Sequence, residues 1–497
     1  MLNFVSNETI RKADVYTIEN SSIQSIDLME QASKAFVNRF IRLVKVHEKI
    51  TVFCGKGNNG GDGLAIARLL RMKGYQNISV YILNGFLNET NDFKINKERL
   101  IALKIPIVVI NEANEIPNEL NVVIDAVLGS GFQGVLKPFL VAIFNKINQN
   151  ARYIVSVDAP SGLDIDEPNL AFYQGIKADF TISFQRPKLF FMFPESALFT
   201  KEFDFVEIGL DEVYLKSVPS SHFWIQEQDI LSKLKPRMPF SHKGTYGHLL
   251  LITGSPNTMG AALLCAKSAL FSGAGLITSC IDQNYFSVFN TFQPEIMTLE
   301  IEDLEKTEST KFTALAIGSG LGIDISSKNK LDWALKSTIP TVFDADALNM
   351  ISKENLQNKI PKNSILTPHI KEFDRLFGKH ESWELRLKTA QQKAQELDCV
   401  IVLKNQYTFI CDVDGKIYVN STGNPSMAQG GMGDVLTGCI AAFLAQGYST
   451  LDAALIGCYV HGKAGDDLNL IYEITPASLV AEQISKSLKE LYLLKER

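Results

Sequence analysis

Nine residues, Gly55-Lys56-Gly57-Asn58-Asn59-Gly60-Gly61-Asp62-Gly63, carry five glycines between a β-type apolar run at 50–53 and an amphipathic helical stretch at 64–70. A strand that empties into a glycine loop and then a helix opens a βαβ unit, and few architectures accept it. Further apolar runs follow at 78–83, 122–127, 153–157 and 180–184, spaced by helix-length segments. They are nearly all apolar rather than alternating, as parallel strands are when helices cover both faces of their sheet. The first half is therefore predicted to be α/β, with a mainly parallel sheet.

Residues 211–241 change character, with Pro219, Ser220, Ser221, Pro236 and Pro239 among mixed polar residues. This stretch reads as the crossing between two domains, placed at 1–215 and 222–497. Beyond it the alternation restarts. Strands are predicted at 248–253, 314–317, 341–343, 364–366 and 400–403, and a helix at 260–272. Residues 408–420 read as a hairpin turning at Val413-Asp414-Gly415-Lys416. Long helices are expected after Gly433 and after Pro476. The two halves are not copies, because their glycine loops differ in place and sequence.

Charge and cysteine usage remove several function classes. Lys+Arg number 49 against Asp+Glu 55, a formal charge of −6, so a phosphate-driven nucleic-acid binder is not expected. The seven cysteines show no CxxC spacing, which argues against a disulfide framework or a zinc knuckle and for a reducing compartment. The polar residues after Val5 do not form a secretory signal, and no apolar stretch reaches the ~18 residues of a membrane span. A cytoplasmic protein without membrane partners is the expectation.

The glycine loop leaves bare backbone N–H groups at a helix N-terminus, which suits phosphate or pyrophosphate. It is neither GxGxxG with a later ribose-binding acid nor a Walker A loop. A plain tight turn, with Asn and Asp capping the helix, is the alternative. Two more loops follow strands of the same sheet: Asp125-Ala126-Val127-Leu128-Gly129-Ser130-Gly131-Phe132 and Asp158-Ala159-Pro160-Ser161-Gly162-Leu163-Asp164. At the carboxyl edge of one parallel sheet Asn59, Asp125 and Ser161 can converge. An amide, a carboxylate and a hydroxyl make a hard-oxygen set suited to a monovalent or alkaline-earth cation. Taken singly, Asp125 and Asp158 read equally well as strand-end caps.

In the second half, Gly247 to Ser255 is a strand running into a turn before Gly260-Ala261-Ala262, and Gly318-Ser319-Gly320-Leu321-Gly322 follows another strand. Thr367-Pro368-His369 follows a third, and a lone histidine there is more often a cap than a catalyst. The sharpest feature is Gly430-Gly431-Met432-Gly433-Asp434 ahead of an apolar helix. Such a run supplies N–H donors for a phosphoryl group in flight and a carboxylate to take a proton from an attacking hydroxyl. Asp434 as a simple helix cap is the alternative.

These loops carry a resemblance to the NAD(P)H-hydrate repair enzymes. Residues 25–209, with LMEQA (28–32), GNNGGDG, DAVLGSGFQG and VDAPSGLD, resemble that family's epimerase domain, Rossmann-like in fold. The resemblance implies that Asn59, Asp125 and Ser161 hold potassium. It also implies that Asn58, Asn59, Gly60, Gly61, Asp62, Gly129, Ser130, Gly131, Phe132, Gln133, Gly134, Val135 and Asp158 contact the hydrated dinucleotide. Residues 222–494, with KGTYGHLLLITGS, GSGLG, FDADALN, LTPHIKEFDRL, VLKNQYT and GGMGDVLTG, resemble the ADP/ATP-dependent dehydratases, ribokinase-like α/β/α domains. There the resemblance implies that Ala261, Gly320, His369 and Asp434 face the hydrate, with Asp434 as catalytic base. Lys404, Asn405, Gln406, Tyr407, Thr408 and Gly433 would face the adenine nucleotide, with magnesium accompanying ADP. The chain departs from the pattern at Ala159, where a larger aliphatic residue is usual, at Ser319, where proline is, and at Asn405, where glycine is common. Asparagine tolerates a left-handed backbone better than most residues do.

The resulting expectation is a homo-oligomeric bifunctional enzyme acting on hydrated NADH and NADPH with ADP. Its rivals are a ribokinase-like kinase of a hydroxymethylpyrimidine or sugar with a dinucleotide-binding regulatory domain, and a first domain that serves only as a binding scaffold.

Overall fold

All five apolar runs of the first half are strands in the computed structural model, which describes every residue except 86–87, 169–171, 305, 307–308 and 496–497. Two edge strands join them, giving the order Ile107–Ile110, Ile78–Leu83, Ile50–Cys54, Leu120–Ala126, Ala151–Val157, Ala178–Phe184, Thr200–Val206. Every neighbouring pair is parallel. The chain starts in the middle of the sheet, runs to one edge and then returns to fill the other. Its order reverses between Ile50–Cys54 and Leu120–Ala126, where a crevice opens beyond the strand ends. The glycine loop and the Asp125 loop stand at that reversal.

Alternation along the strands builds the layers. Ile50, Val52, Val122 and Ile124 join an apolar cluster with Phe36, Phe40 and Leu64, whereas Phe53 and Val123 join a second with Ile143, Phe144 and Ile147. Helices Ser25–Phe40 and Asn58–Met72 thus cover one face and Pro138–Asn150 the other, the expected Rossmann-like three-layer arrangement. Helix Asn58–Met72 is not amphipathic as read. Every residue from Gly60 to Ala67 is buried, because helices Ser25–Phe40 and Asn91–Ala102 pack on it as well as the sheet.

The chain divides into two compact units, Asn3–Ser220, and Met1–Leu2 with Ser221–Arg497. The stretch 211–241 is more than a linker, holding helices Glu212–Ser217 and Glu227–Lys233 and strand His222–Trp224. In the second unit seven parallel strands lie in the order Met297–Glu300, Leu276–Ile281, His248–Ile252, Ala314–Ile317, Thr341–Phe343, Ile365–Leu366, Val400–Leu403. The expected hairpin, Phe409–Cys411 with Ile417–Val419, continues the sheet antiparallel, and Gly415 takes a left-handed φ of 75° in its turn. Helices Met259–Phe271, Met432–Ala445, Thr450–Asn469 and Ala477–Lys495 share one large apolar cluster. Helix Met432–Ala445 crosses Met259–Phe271 at backbone contact: a Cβ on Gly438 would lie 2.1 Å from the Cys265 carbonyl oxygen.

All seven cysteines are buried and free, Cys54 in the first unit and the other six in the second. Among the described residues no helix is long and apolar enough to cross a membrane.

Candidate active sites

In the first unit, the loops after Cys54, Ala126 and Val157 frame a cavity of about 850 Å³. Asn58, Asn59, Asp62, Gly129, Ser130, Gly131, Phe132, Gln133 and Asp158 line it. Gly60, Gly61, Gly134 and Val135 do not. Val135 is 94% exposed, and a Cβ on Gly60 would meet the Gly55 carbonyl oxygen at 2.0 Å. Gly60 is therefore bare so that the helix can start tight against its own loop. The N-cap of that helix is Gly57, with no side-chain bond, so the Asn and Asp side chains of the loop are not caps.

Asp125 is 1% exposed and accepts hydrogen bonds from Ser161 Oγ (2.5 Å), Ser161 N (2.9 Å), Ser156 Oγ (2.8 Å) and Val127 N (3.3 Å). Burial pushes its carboxyl up, and these donors oppose the rise. Ser161 Oγ also lies 3.0 Å from the Leu128 carbonyl oxygen. Asn59 packs at Gly129, and its buried Nδ2 has no partner among the described residues. A carboxylate, a hydroxyl, a carbonyl and the Asn59 amide oxygen are hard donors that fit a hard cation rather than zinc, whereas the unpaired Nδ2 calls for a hydrogen-bond acceptor. Among the described residues no group of three His, Cys, Asp or Glu side chains is arranged for a metal.

Asp158 takes a left-handed φ of 66°. This turns its carboxylate onto Ser130 N (3.2 Å), Phe184 N (3.2 Å) and Ser183 Oγ (3.3 Å). Sequence reasoning missed the wall opposite these loops in the chain, helix Asn7–Asn20. Its Asn7 donates to the Ser130 carbonyl (2.9 Å), its Arg11 to the Gly131 carbonyl (2.8 Å), and its Asp14 lines the cavity. No local pattern marks these residues, whose partners lie more than a hundred positions away. Burial and then Asp158 push the Asp14 carboxyl up to about 6, against Lys188, and burial with Asp158 and Asp14 pushes Asp62 well up.

In the second unit, the loops after Ile252, Ile317, Phe343, Leu366 and Leu403 leave parallel strands at one edge. Gly254 N bonds the Ser319 carbonyl (2.8 Å), and Thr258 Oγ1 the Gly320 carbonyl (2.6 Å). Gly320 lies so near Ala261 that their Cβ atoms would be 2.8 Å apart. Beneath them Asp344 is 1% exposed and accepts from Lys404 Nζ (2.8 Å), Thr367 Oγ1 (2.8 Å) and Ser319 Oγ (3.2 Å). Burial would raise this carboxyl; Lys404 and the hydroxyl donors outweigh it and hold it below its ordinary value.

Asp434 does not cap helix Met432–Ala445. The N-cap is Gly431, at φ 91°, with no side-chain bond. The N–H groups of Met432, Gly433 and Asp434 open the helix and have no carbonyl within it to bond. Burial and then Asp344 push the Asp434 carboxyl up to about 6, opposed by a hydrogen bond from Ser319 and by Lys404. His369 does cap: its Nδ1 accepts from Lys371 N (3.0 Å) and Glu372 N (3.3 Å) at the start of Ile370–Phe377, with its side chain half exposed.

Lys404, Asn405, Gln406, Thr408 and Gly433 line a second cavity of about 420 Å³. Tyr407 does not; its ring lies 5.9 Å from that of Trp224. Asn405 keeps a negative φ, so the loop asks for no left-handed backbone where glycine is common. The sequence reading missed the far wall, which includes Asn420, Thr422, Asn424, Met427, Leu436 and His461.

The family pattern described as NAD(P)H-hydrate dehydratase matches residues 249–488, and that described as YjeF-related protein N-terminus matches residues 25–190. The bifunctional NAD(P)H-hydrate repair enzyme Nnr of Moorella thermoacetica is 34% identical over 480 residues, covering 90% of this chain and 88% of its own. The protein of that name from Coxiella burnetii is 32% identical over 467 residues, 93% of each chain. A crystal structure of a ribokinase-like superfamily protein from Enterococcus faecalis matches 55% of this chain and 98% of its own at 28% identity, with a TM-score of 0.52. Relatives that carry both halves in one chain under one name weigh against a kinase with a regulatory domain. Two units, each with its own cavity at the loop edge of a parallel sheet, and relatives that match nearly end to end lead to one statement: the chain belongs to the bifunctional NAD(P)H-hydrate repair enzymes, an epimerase joined to a dehydratase.

Proposed function

We propose that the first unit interconverts the R and S forms of NADH and NADPH hydrated at C6 of the nicotinamide ring. The second unit then returns the S form to the reduced dinucleotide at the expense of ADP, giving AMP and phosphate. The observation that carries this reading is Asp434, placed on a glycine-opened helix beside the Lys404–Asp344 pair and next to a second, separate cavity.

Hydroxide leaves poorly, so a phosphoryl group on the C6 oxygen makes departure feasible. Asp434 takes the hydroxyl proton, acting on the C6 oxygen as it attacks phosphorus. The N–H groups of Met432, Gly433 and Asp434 face the charge that develops on the moving phosphoryl oxygens. Ala261, Gly320 and His369 bound the hydrate, and Lys404, Asn405, Gln406, Thr408 and Gly433 the nucleotide; Tyr407 acts from behind that wall. Magnesium would travel with the ADP phosphates and screen their charge. Asp346, which accepts from Gly322 N (2.8 Å) and whose charge acts on Asp434, offers an oxygen donor of the class it prefers, Asp344 being spent on Lys404.

In the first unit Asn59, Asp125 and Ser161 would hold potassium, which supplies positive charge beside a loop suited to pyrophosphate. Asn58, Asp62, Gly129 to Gln133 and Asp158 bound the hydrated dinucleotide, while Gly60, Gly61, Gly134 and Val135 shape the loops that carry them. An assembly of identical subunits is supported by the exposed run Leu470, Ile471 and Tyr472 with Ile474. A cytoplasmic location is supported by seven free thiols.

The test is to incubate the protein with mixed R and S hydrates, with and without ADP or ATP, and follow the return of reduced-nicotinamide absorbance. Full conversion of both forms with ADP is expected. Conversion of half the mixture would remove the epimerase, and conversion with neither nucleotide would remove the dehydratase.

A further inference from the structure

We propose that Asp14 is the proton-transfer residue of the first unit, exchanging a proton with the C6 oxygen of the hydrated nicotinamide, with Asp62 as its counterpart. The proposal rests on the epimerase reading and assigns the chemistry inside it.

The substrate dictates what such a site must contain. C6 of the hydrate bears a hydroxyl and is bonded to ring N1, so it is a carbinolamine carbon. It can invert without any redox step. The C6–O bond breaks as the N1 lone pair forms a C=N bond, and the departing oxygen takes up a proton to leave as water. Water then adds to the other face, the C=N electrons return to N1, and the incoming oxygen gives up a proton. One proton is delivered and one is collected, so atoms and electrons balance. The site needs an acid and a base that exchange roles, as carboxyl pairs do in sugar chemistry.

Four carboxylates line the cavity: Asp14, Asp62, Asp92 and Asp158. Two are already committed. Asp158 has both oxygens in hydrogen bonds to Ser130, Ser183 and Phe184, and Asp92 accepts from Ser25 Oγ at 2.5 Å. Asp62 is 9% exposed and has Ser33 as its one side-chain hydrogen-bonding neighbour among the described residues. Asp14 accepts no hydrogen bond from the described chain and is half-buried in the cavity wall. Its helix is held in place by others, Asn7 and Arg11 on the carbonyls of Ser130 and Gly131, so Asp14 contributes nothing to that attachment. An unpaired carboxylate in a cavity wall, on an anchored helix, is a group without a structural task.

The surroundings couple the two carboxyls. Asp14 faces Asp158 and Asp62 among anions and Lys188 among cations, with Arg11 spent on the Gly131 carbonyl; Asp62 faces Asp158, Asp14 and Asp92. Burial and these like charges push Asp14 up to about 6 and raise Asp62 well above its ordinary value. Each carboxylate raises the other, so a proton is readily shared between them, as an acid and a base that exchange roles require.

The experiment uses the full-length protein and pure R hydrate, with R and S forms separated chromatographically and the uncatalysed rate subtracted, from pH 5 to pH 8. Asp14→Asn should lower kcat for epimerisation by about 10²–10⁴ with little change in KM, and should abolish the wild-type inflection near 6. Asp14→Glu should recover part of the rate and the inflection. Asp62→Asn should lower kcat as well. Dehydration of pure S hydrate by the same samples should be unchanged, and an unshifted thermal unfolding transition of the first unit reports that each variant is folded. An Asp14→Asn protein within about tenfold of wild type overturns the assignment, as does a rise in KM at unchanged kcat. A wild type that leaves R hydrate untouched overturns the epimerase reading itself, and the proposal with it.

Discussion

Asp434→Asn should leave a folded protein that binds nucleotide and has lost dehydration. Asparagine fills the same volume and can accept the Ser319 hydrogen bond that Asp434 accepts. Because Gly431 is the N-cap, no capping bond worth about 1 kcal/mol is at stake, and the unfolding midpoint should hold. The rate should not hold, since loss of a general base costs about 10²–10⁴. The pH dependence gives a second handle. The carboxyl is pushed up to about 6, first by burial and then by Asp344, and the base works only when ionised. Dehydration by wild type should therefore be full above pH 7 and decline as pH falls through about 6, roughly tenfold between pH 7 and pH 5. The variant should be slow and flat over that range. Single-turnover rates on pure S hydrate at saturating ADP measure both effects. A loss below about tenfold, or a wild-type rate indifferent to pH between 5 and 7, would refute the assignment of Asp434 as base.

Asp125→Asn should abolish potassium-dependent epimerisation and spare dehydration of S hydrate; undiminished epimerisation across a potassium titration would remove the cation site. Lys404→Met should weaken nucleotide binding and, by leaving Asp344 buried without its partner, cost the second unit about 3–5 kcal/mol in denaturant unfolding. Asp344 is held below its ordinary value, so the stability it contributes should be present above about pH 4 and lost as pH falls through the depressed value. Gly60→Ala would put a Cβ 2.0 Å from the Gly55 carbonyl oxygen and should destabilise the first unit by about 1–3 kcal/mol, measured by thermal unfolding.

Much of the architecture could be read from apolar runs because parallel strands covered on both faces have little choice but to be apolar. The strands 78–83, 314–317, 341–343 and 400–403 fall at the positions read from sequence. Thr200–Val206 was not legible, because an edge strand has one exposed flank and its Lys201, Glu202 and Asp204 break the apolar signal. The loop residues of both cavities were legible through glycine, whose absence of a side chain is itself a pattern. Asp14, Asn7 and Arg11 were not, because they sit on an ordinary polar helix, Asn7 and Arg11 meeting the loop at 130–131 and Asp14 the cavity only through the fold. Asn420, Thr422 and His461 were missed for the same reason: they reach the second cavity through the fold and not through a motif. The departure at Ser319 adds a donor between two carboxyls, since its hydroxyl donates to Asp344 and lies within reach of Asp434, which proline could not do. The departure at Asn405 carried no strain.

The distribution of thiols gives each unit its own internal reporter. Cys54 is sealed under the glycine loop of the first unit, and Cys265, Cys280, Cys399, Cys411, Cys439 and Cys458 are sealed within the second. Burial raises each of these thiols, so none is a ready nucleophile while the structure is closed. An alkylating reagent can label them only through opening events. Mass analysis after a pulse of reagent would then count one modification for opening of the first unit and up to six for the second. In mild denaturant, the order in which those masses appear reads the relative stability of epimerase and dehydratase directly, in the unaltered protein, with no engineered probe.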